Sequence, residues 1–489
     1  MAGPKLPHWP FVRPDGETRA VSGRGNKRRD AKRRNAPKRS TTGPSTASST
    51  TETTEATGAE TGRGTGTGET GRVLAQLVSE GLHALSHRPE LTQRLNQAID
   101  GLVDLDGRDG PGVYRAEGAV AEVLLPLVNL RWEQGWEPAD LVHVVRRQSN
   151  ARLTRLAVAT VADSASALPI AQAPPRWVDQ LEALAVTTGA ATAGAPTNVV
   201  TRWRVQERLG VAESLENGLR LASILRDLPS LEPLEQPPSR WGQAPSNTMG
   251  SGWRHGTTSA AEPKVLGTIR ALLAKAESTS FPAEAEAFTA KAQDLMSRHA
   301  IDAAVLAARA PRDLSSEVAP TRVHIDNPYG KEKAQLLAIV ADINGGRVVW
   351  EDQLGLATVV GFPLDLELVE LLFTSLLIQA TQAATSAAQT SAHSRSPSFR
   401  RAFLLAYGAR IGERLRHSHQ QAGQAAEHQY GTALVPIMAE RRDVVGTVTD
   451  RLFPDSRPMR PRLVDAQGWN AGRLAADLAD IRAARAALD

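Results

Sequence analysis

Apolar residues recur at steps of three and four along most of the chain beyond residue 73, which is the spacing of amphipathic helices. The first segment with this spacing begins with Leu74, Leu77, Val78, Leu82 and Leu85. Further segments of the same kind follow up to residue 228. The pattern therefore predicts an N-terminal helical domain over residues 73–228.

Two helices joined by a short polar break are predicted next, over residues 264–310. The break is the stretch Glu277–Pro282, and a connection this short makes the two helices antiparallel neighbours. The apolar faces must pack on each other or on a neighbouring element. The side chains that we expect to be largely buried in this helical hairpin are Leu272, Leu273, Phe288 and Leu295.

Residues 318–455 combine helical and strand patterns. A short strand is predicted at Arg322–Ile325, and two further strands, Arg347–Trp350 and Leu356–Phe362, are joined by a tight turn. Long helices with clean apolar stripes follow, the last of them near Asn470–Leu488 in a C-terminal extension over residues 456–489. The predicted fold class is thus mainly α, with a small α+β domain whose β-hairpin packs on long helices.

Two segments lack any periodicity. Residues 1–72 are basic and then rich in Thr, Gly and Ser, and such a composition buries too little apolar surface to offset its ordering entropy. Residues 229–263 are rich in Pro, Gly and Ser. We predict a disordered N-terminal tail over residues 1–72 and a proline-rich linker over residues 229–263.

Composition narrows the possible chemistry of the 489-residue chain. It contains no cysteine, which excludes disulfides, thiolate nucleophiles and cysteine-ligated metal sites and fits a reducing compartment. No apolar run approaches the length of a membrane span, and the first residues lack a signal-peptide core. A cytoplasmic protein without membrane partners is therefore the expectation.

Positive charge is concentrated at the N-terminus. Residues 1–40 hold twelve Lys and Arg against three acidic residues, a net charge of +9, whereas the whole chain has +4, so the remainder carries about −5. A flexible basic segment attracts polyanions without reading their sequence, which makes nucleic acid the expected partner. A solubilising tail, or a start codon placed too far upstream, is the alternative. The expected phosphate contacts in the segment are Arg24, Lys27, Arg28, Arg29, Lys32, Arg33 and Arg34.

Familiar catalytic motifs are absent from the sequence: it has no HExxH helix, no GxxxxGK[ST] phosphate loop and no GxSxG elbow. On the helix that begins near Phe399, Glu413 and His417 lie one turn apart and form a weak candidate for a metal pair. A third ligand would have to come from elsewhere, with His393 or His324 as candidates, and a solvated polar face is the alternative. Arg401 and Arg416 project from the same helix as a second candidate for nucleic-acid contact.

A family resemblance covers the helical hairpin. The run LLAKAESTSFPAEAEAFTAKAQDLM, residues 272–296, resembles the domain of unknown function 2786 of bacterial and phage proteins. Residues 330–415, with VVGFPLDLELVELLF and FRRAFLLAYGARIGERL, resemble the companion domain of unknown function 7168. Neither resemblance implies a known activity, catalytic residue or cofactor.

The sequence therefore favours a non-enzymatic, nucleic-acid-associated protein with a basic disordered arm and no cofactor. Two alternatives stay open: a metal-dependent hydrolase with an unrecognised site, and a helical scaffold for protein interactions.

Overall fold

The computed structural model of the chain describes residues 11–12, 66–86, 92–108, 115–188, 198–242, 262–279, 281–307, 313–388, 393–431, 434–458 and 465–478. Residues 15–76 form one unit, in which residues 66–76 are described, and the rest of the chain forms the other. The predicted tail lies outside the described residues apart from a two-residue strand, β1 (Phe11–Val12), and the first turns of helix α1 (Gly66–Ser86). Helix α1 thus begins before the predicted domain start at residue 73.

The segment predicted as an N-terminal domain is helical where it is described, as the apolar spacing predicts. Trp132, Trp136 and Trp203 are among its largest fully buried side chains. The carboxylate of Glu117 is also buried, where it pairs with Arg204 and accepts hydrogen bonds from two hydroxyl groups. Beyond α1, the helices are α2 (Thr92–Arg108), α3 (Arg115–Glu133), α4 (Pro138–Gln148), α5 (Ala151–Ser166), α6 (Pro175–Thr188), α7 (Val199–Glu207) and α8 (Val211–Asp227).

The first part of the segment predicted as a linker packs on this domain. The backbone N–H of Leu231 donates to the carbonyl of Gln134 at 2.9 Å. Trp241 is buried and meets Trp177 edge to face, with ring centroids 5.1 Å apart, and Trp177 meets Trp132 in the same way at 5.0 Å. Residues 243–261 lie outside the described residues.

The helical hairpin consists of α9 (Glu262–Ser278) and α10 (Pro282–Ala307), and the predicted break between them is confirmed. Ile269, Leu273 and Met296 are fully buried in the main core. Leu272, Phe288 and Leu295, which we expect to be largely buried, are half-buried, and Leu272 and Leu295 pack against the main core. The ring of Phe288 lies at the edge of the helix pair, where the Lys275 ammonium approaches its centroid to 5.7 Å.

The sheet is built on three antiparallel strands, β2 (Ala319–His324), β4 (Leu356–Gly361) and β3 (Arg347–Glu351). Strand β1 extends the sheet parallel to β3, and β5 (Arg457–Pro458) pairs with β1, so that the order is β2-β4-β3-β1-β5. The predicted β-hairpin is confirmed as β3 and β4. Its turn includes Gly355 at φ +68°, a left-handed conformation that favours glycine.

Helices cover both faces of the sheet, because alternate strand residues point to opposite sides. Val348 and Trp350 join the main core with the helical hairpin and three of the long helices, whereas Val349 packs on the other side with Val445 and Val448. The long helices are α11 (Gly330–Ile343), α12 (Pro363–Ala388), α13 (Pro397–Tyr430) and α14 (Leu434–Leu452). The mainly helical fold with a small α+β region is therefore confirmed.

The C-terminal helix α15 (Ala466–Leu478) lies against α13 at very short range. A Cβ atom added at Gly468 would overlap the carbonyl oxygen of Phe399, and one added at Gly472 would overlap that of Phe403. Glycine at both positions is what allows the two backbones to approach. Among the described helices, none is long and apolar enough to cross a membrane.

Candidate functional site

The predicted phosphate contacts of the N-terminal segment lie outside the described residues. They are Arg24, Lys27, Arg28, Arg29, Lys32, Arg33 and Arg34. Their role stays a prediction from sequence.

The second predicted contact surface lies on α13. It contains one exposed arginine and one arginine that lies close to a carboxylate. Arg401 is exposed and forms no ion pair with a described residue. Arg416 is half-buried, with its guanidinium 4.0 Å from the Asp342 carboxylate. Its neighbour Arg414 is half-buried and pairs with Glu286 of α10. Of these three arginines, Arg401 is the one without an ion pair to a described residue.

The candidate metal pair on α13 has arginines around its carboxylate. Glu413 contacts Arg410 at 2.7 Å and Arg473 of α15 at 3.2 Å. Burial acts to raise the pKa of Glu413, but the hydrogen bonds from the two arginines outweigh it and the pKa is lowered. Nε2 of His417 lies 3.0 Å from the Gln421 amide nitrogen. Two guanidinium groups on the carboxylate favour an ion-pair network over a bound cation, and the described residues contain no group of three or more candidate metal ligands.

His324 is one of the candidate third ligands. It lies instead at the contact between α4 and β2, which we call the α4–β2 junction. Its Nε2 atom is 2.7 Å from Oδ1 of Asp140, which is fully buried. The other carboxylate oxygen of Asp140 accepts from Arg322, whose guanidinium also donates to the carbonyls of Gly135 at 2.9 Å and Glu232 at 2.6 Å. The carboxylate and the guanidinium are thus paired with each other, and each has further hydrogen-bond partners.

A second histidine stacks on the first in the junction. The His143 and His324 rings have centroids 4.9 Å apart. Nε2 of His143 lies 3.1 Å from the carbonyl oxygen of Gly355 and must donate to it, so Nδ1 is the acceptor of the neutral ring. The Arg146 guanidinium is 3.3 Å from this Nδ1 atom and 2.8 Å from the Asp326 carboxylate, and thereby bridges the two.

The junction lowers the pKa values of both Asp140 and His143, which keeps the carboxylate charged and the imidazole neutral. Burial acts to raise the pKa of Asp140, but Arg322 and His324 outweigh it and hold the pKa far below its ordinary value. Burial lowers the pKa of His143 to about 4, and the charge of His324 adds to this effect. Close by, burial and then the charge of Glu137 raise the pKa of Glu235 to about 7.

All the buried charges of the junction are used in pairing. It fastens the N-terminal helical domain to the edge strand β2, and we assign it a structural role. Sequence reasoning missed Asp140 and His143, whose spacing of three residues puts them on one face of α4. Arg322 and His324 share a face of β2 because they are two residues apart. Neither spacing predicts that these two faces contact each other.

A second group of polar side chains lines a shallow, open cleft with a volume of about 20 Å³, which we call the α10–α14 cleft. Its walls come from α10, the end of α11, the start of α12, α13 and α14. The lining residues are Ser297, Ala300, Ile343, Asn344, Gly345, Phe362, Asp365, His419, Met438, Arg441 and Arg442. We regard this cleft as the candidate functional site.

A buried hydrogen-bond network forms one side of the cleft. The Gln293 amide nitrogen lies 3.2 Å from the Ser297 hydroxyl and 3.0 Å from the Asn344 side-chain oxygen. Because Ser297 accepts from Gln293, its own hydrogen is free to donate to Nδ1 of His419, 3.1 Å away. With Nδ1 as the acceptor, the neutral ring of His419 carries its proton on Nε2. Burial, followed by the charge of Arg442, lowers its pKa, in agreement with a neutral ring.

The opposite side of the cleft carries charge. Arg441 donates to the buried Asp365 carboxylate at 3.0 Å, and its guanidinium carbon lies 3.6 Å from the Phe362 ring centroid. Burial raises the pKa of Asp365 to about 6, although Arg441 opposes the rise. Arg442 is exposed and forms no ion pair with a described residue.

The fold and the cleft define a mainly helical protein in which a helical hairpin packs on a small α+β core. Residues 264–303, which form most of that hairpin, match the model of the family described as "Protein of unknown function (DUF2786)". This match includes Gln293, Ser297 and Ala300, and so one wall of the cleft. No curated protein and no solved structure matches the chain.

Proposed function

We propose that the protein associates with nucleic acid and that the basic segment over residues 24–39 supplies the phosphate contacts. The charge distribution carries this proposal. A net charge of +9 in residues 1–40 stands against about −5 in the remainder, so attraction of a polyanion is expected at the N-terminal segment only.

Ion pairing within the folded part supports the same assignment. Many of its arginines lie within 4 Å of a carboxylate and so present little net charge to a ligand. They include Arg146, Arg152, Arg155, Arg176, Arg202, Arg270, Arg322, Arg410, Arg414, Arg441 and Arg473. A phosphate backbone would have to compete with these carboxylates.

The proposed binding is independent of base sequence. A run of Lys and Arg contacts phosphates, whereas specificity requires side chains held against base edges in a groove. The non-enzymatic character belongs to this proposal, as does the cytoplasmic location that the cysteine-free composition favours. We further propose that residues 330–415, which form α11, β3, β4, α12 and most of α13, are the companion domain that their sequence resembles.

Substitution is a better test than deletion, because removing residues 1–40 would also remove strand β1. The arm variant replaces Arg24, Lys27, Arg28, Arg29, Lys32, Arg33 and Arg34 by glutamine. The control variant replaces Arg401 and Arg416 by glutamine. Binding of each protein to two short duplexes of unrelated sequence is measured by fluorescence anisotropy.

We expect the arm variant to lose most of its affinity for both duplexes and the control variant to retain it. Both variants should melt at the temperature of the unmodified protein, because none of these side chains belongs to the described core. If the arm variant binds the duplexes with unchanged affinity and the control variant binds them more weakly, the phosphate contacts lie on α13. If the unmodified protein binds neither duplex at moderate salt, the proposal is wrong and the scaffold alternative takes its place.

A further inference from the structure

The α10–α14 cleft contains more hydrogen-bond donors than acceptors. Arg441 and Arg442 line it with two guanidinium groups, and the neutral His419 adds the donor Nε2–H. The Asn344 oxygen accepts from Gln293, and one oxygen of the Asp365 carboxylate accepts from Arg441. A ligand that accepts hydrogen bonds therefore fits the cleft better than one that donates them.

The charges of the lining also favour a ligand that accepts hydrogen bonds. Around the cleft two guanidinium groups face one carboxylate, and His419 is neutral. The single carboxylate, Asp365, is held by Arg441, which leaves Arg442 as an exposed cation with no ion pair to a described residue. The net charge of the lining is positive at neutral pH.

We propose that the α10–α14 cleft binds a small organic oxyanion, with its phosphate or carboxylate group at Arg442 and Arg441. Guanidinium groups form paired hydrogen bonds with both kinds of oxyanion. The apolar side chains of Ile343 and Met438 also line the cleft, and its volume of about 20 Å³ leaves the rest of the ligand at the open mouth. This site is separate from the basic N-terminal segment, and the proposal does not depend on nucleic-acid association.

The same geometry predicts how binding depends on pH. The charged or titratable groups that line the cleft are Asp365 from α12, His419 from α13, and Arg441 and Arg442 from α14. When Asp365 takes up a proton, near pH 6, Arg441 loses its internal partner and becomes available to the ligand. Protonation of His419 at lower pH adds a further positive charge. Affinity for an anion should therefore rise as the pH falls from 7 to 5.

Ligand-observed NMR titration of the full chain tests the proposal, with inorganic phosphate, acetate and adenosine monophosphate as probes. The test variant is Arg442→Gln. Its matched control is Arg451→Gln, which removes the same charge from an exposed position on the same helix. Both variants keep the basic N-terminal segment, so that any binding of the probes there cancels in the comparison.

We expect Arg442→Gln to weaken binding of at least one probe by about tenfold, the loss of one charge-assisted hydrogen bond, and Arg451→Gln to change it less than about twofold. Binding of phosphate and adenosine monophosphate alone identifies a phosphate ester, and binding of acetate alone identifies a carboxylate. Asp365→Asn should strengthen binding at pH 7 and remove most of its pH dependence. Equal affinities in the Arg442 and Arg451 variants, or no binding of any probe, overturn the proposal.

Discussion

The Nε2 atom of His324 lies 2.7 Å from Oδ1 of Asp140, although 184 residues separate the two along the chain. Asp140 belongs to the N-terminal helical domain and His324 to the edge strand of the sheet. Arg322 occupies the other oxygen of the same carboxylate. This buried triad joins two parts of the protein that the sequence alone shows as separate domains.

Substitution of Asp140 should be strongly destabilising. In Asp140→Asn the buried Arg322 guanidinium loses its counter-charge, and removing one partner of a buried pair costs about 3–5 kcal/mol. The matched control is Asp326→Asn, whose exposed pair with Arg146 contributes less than about 1 kcal/mol. Chemical denaturation gives the free energy of unfolding of both variants. Equal values for the two would show that the junction does not fasten the domains.

The junction should also make stability depend on pH. The pKa of His143 is about 4 in the folded protein and 6.5 in the unfolded chain, so the unfolded chain binds more protons between these values. The free energy of unfolding therefore falls as the pH falls from 6.5 towards 4, and this contribution is constant above 6.5. His143→Gln should flatten the dependence in that window, whereas the exposed His417→Gln should leave it as it is. Denaturation curves at a series of pH values provide the comparison.

Docking of the C-terminal helix should depend on its glycines. In Gly472→Ala the new methyl group would overlap the carbonyl oxygen of Phe403, and overpacking of this kind costs about 1–3 kcal/mol. Gly423→Ala on α13 is the control, because a Cβ there meets nothing within 4 Å and alanine favours a helix. Hydrogen exchange of α15 reports on docking. Unchanged protection of α15 in Gly472→Ala would contradict the close packing.

The helical hairpin offers a graded comparison of burial. Leu273 is fully buried and Leu273→Ala should cost about 2–5 kcal/mol. Phe288 is only half-buried, so Phe288→Ala should cost less than the value of about 3 kcal/mol that a buried ring would give. Thermal or chemical denaturation ranks the two variants. A larger loss for Phe288→Ala would place its ring in the core after all.

Local patterns predicted the elements well and their contacts poorly. The break between α9 and α10, the β3–β4 hairpin and the helical stripe of α13 follow from periodicity and turn residues, which act over a few neighbouring positions. The extent to which Phe288 is buried could not be predicted, because spacing places a residue on a face of a helix but does not say where the neighbouring element ends. The α10–α14 cleft draws its lining from five helices, between Ser297 and Arg442, and no local pattern contains that arrangement. The sequence alone makes Glu413 a candidate ligand. In the structure, Arg473 from the distant helix α15 pairs with its carboxylate.

Salt dependence of duplex binding tests nucleic-acid association most directly. Each Lys or Arg engaged on B-DNA contributes about 0.9 to the slope of log affinity against log salt, so roughly five contacts give a slope of about −4 to −5. We predict that slope for the unmodified protein and a slope near zero for the arm variant. A slope near zero for the unmodified protein, or the same steep slope in both proteins, would contradict the assignment of phosphate contacts to the basic segment.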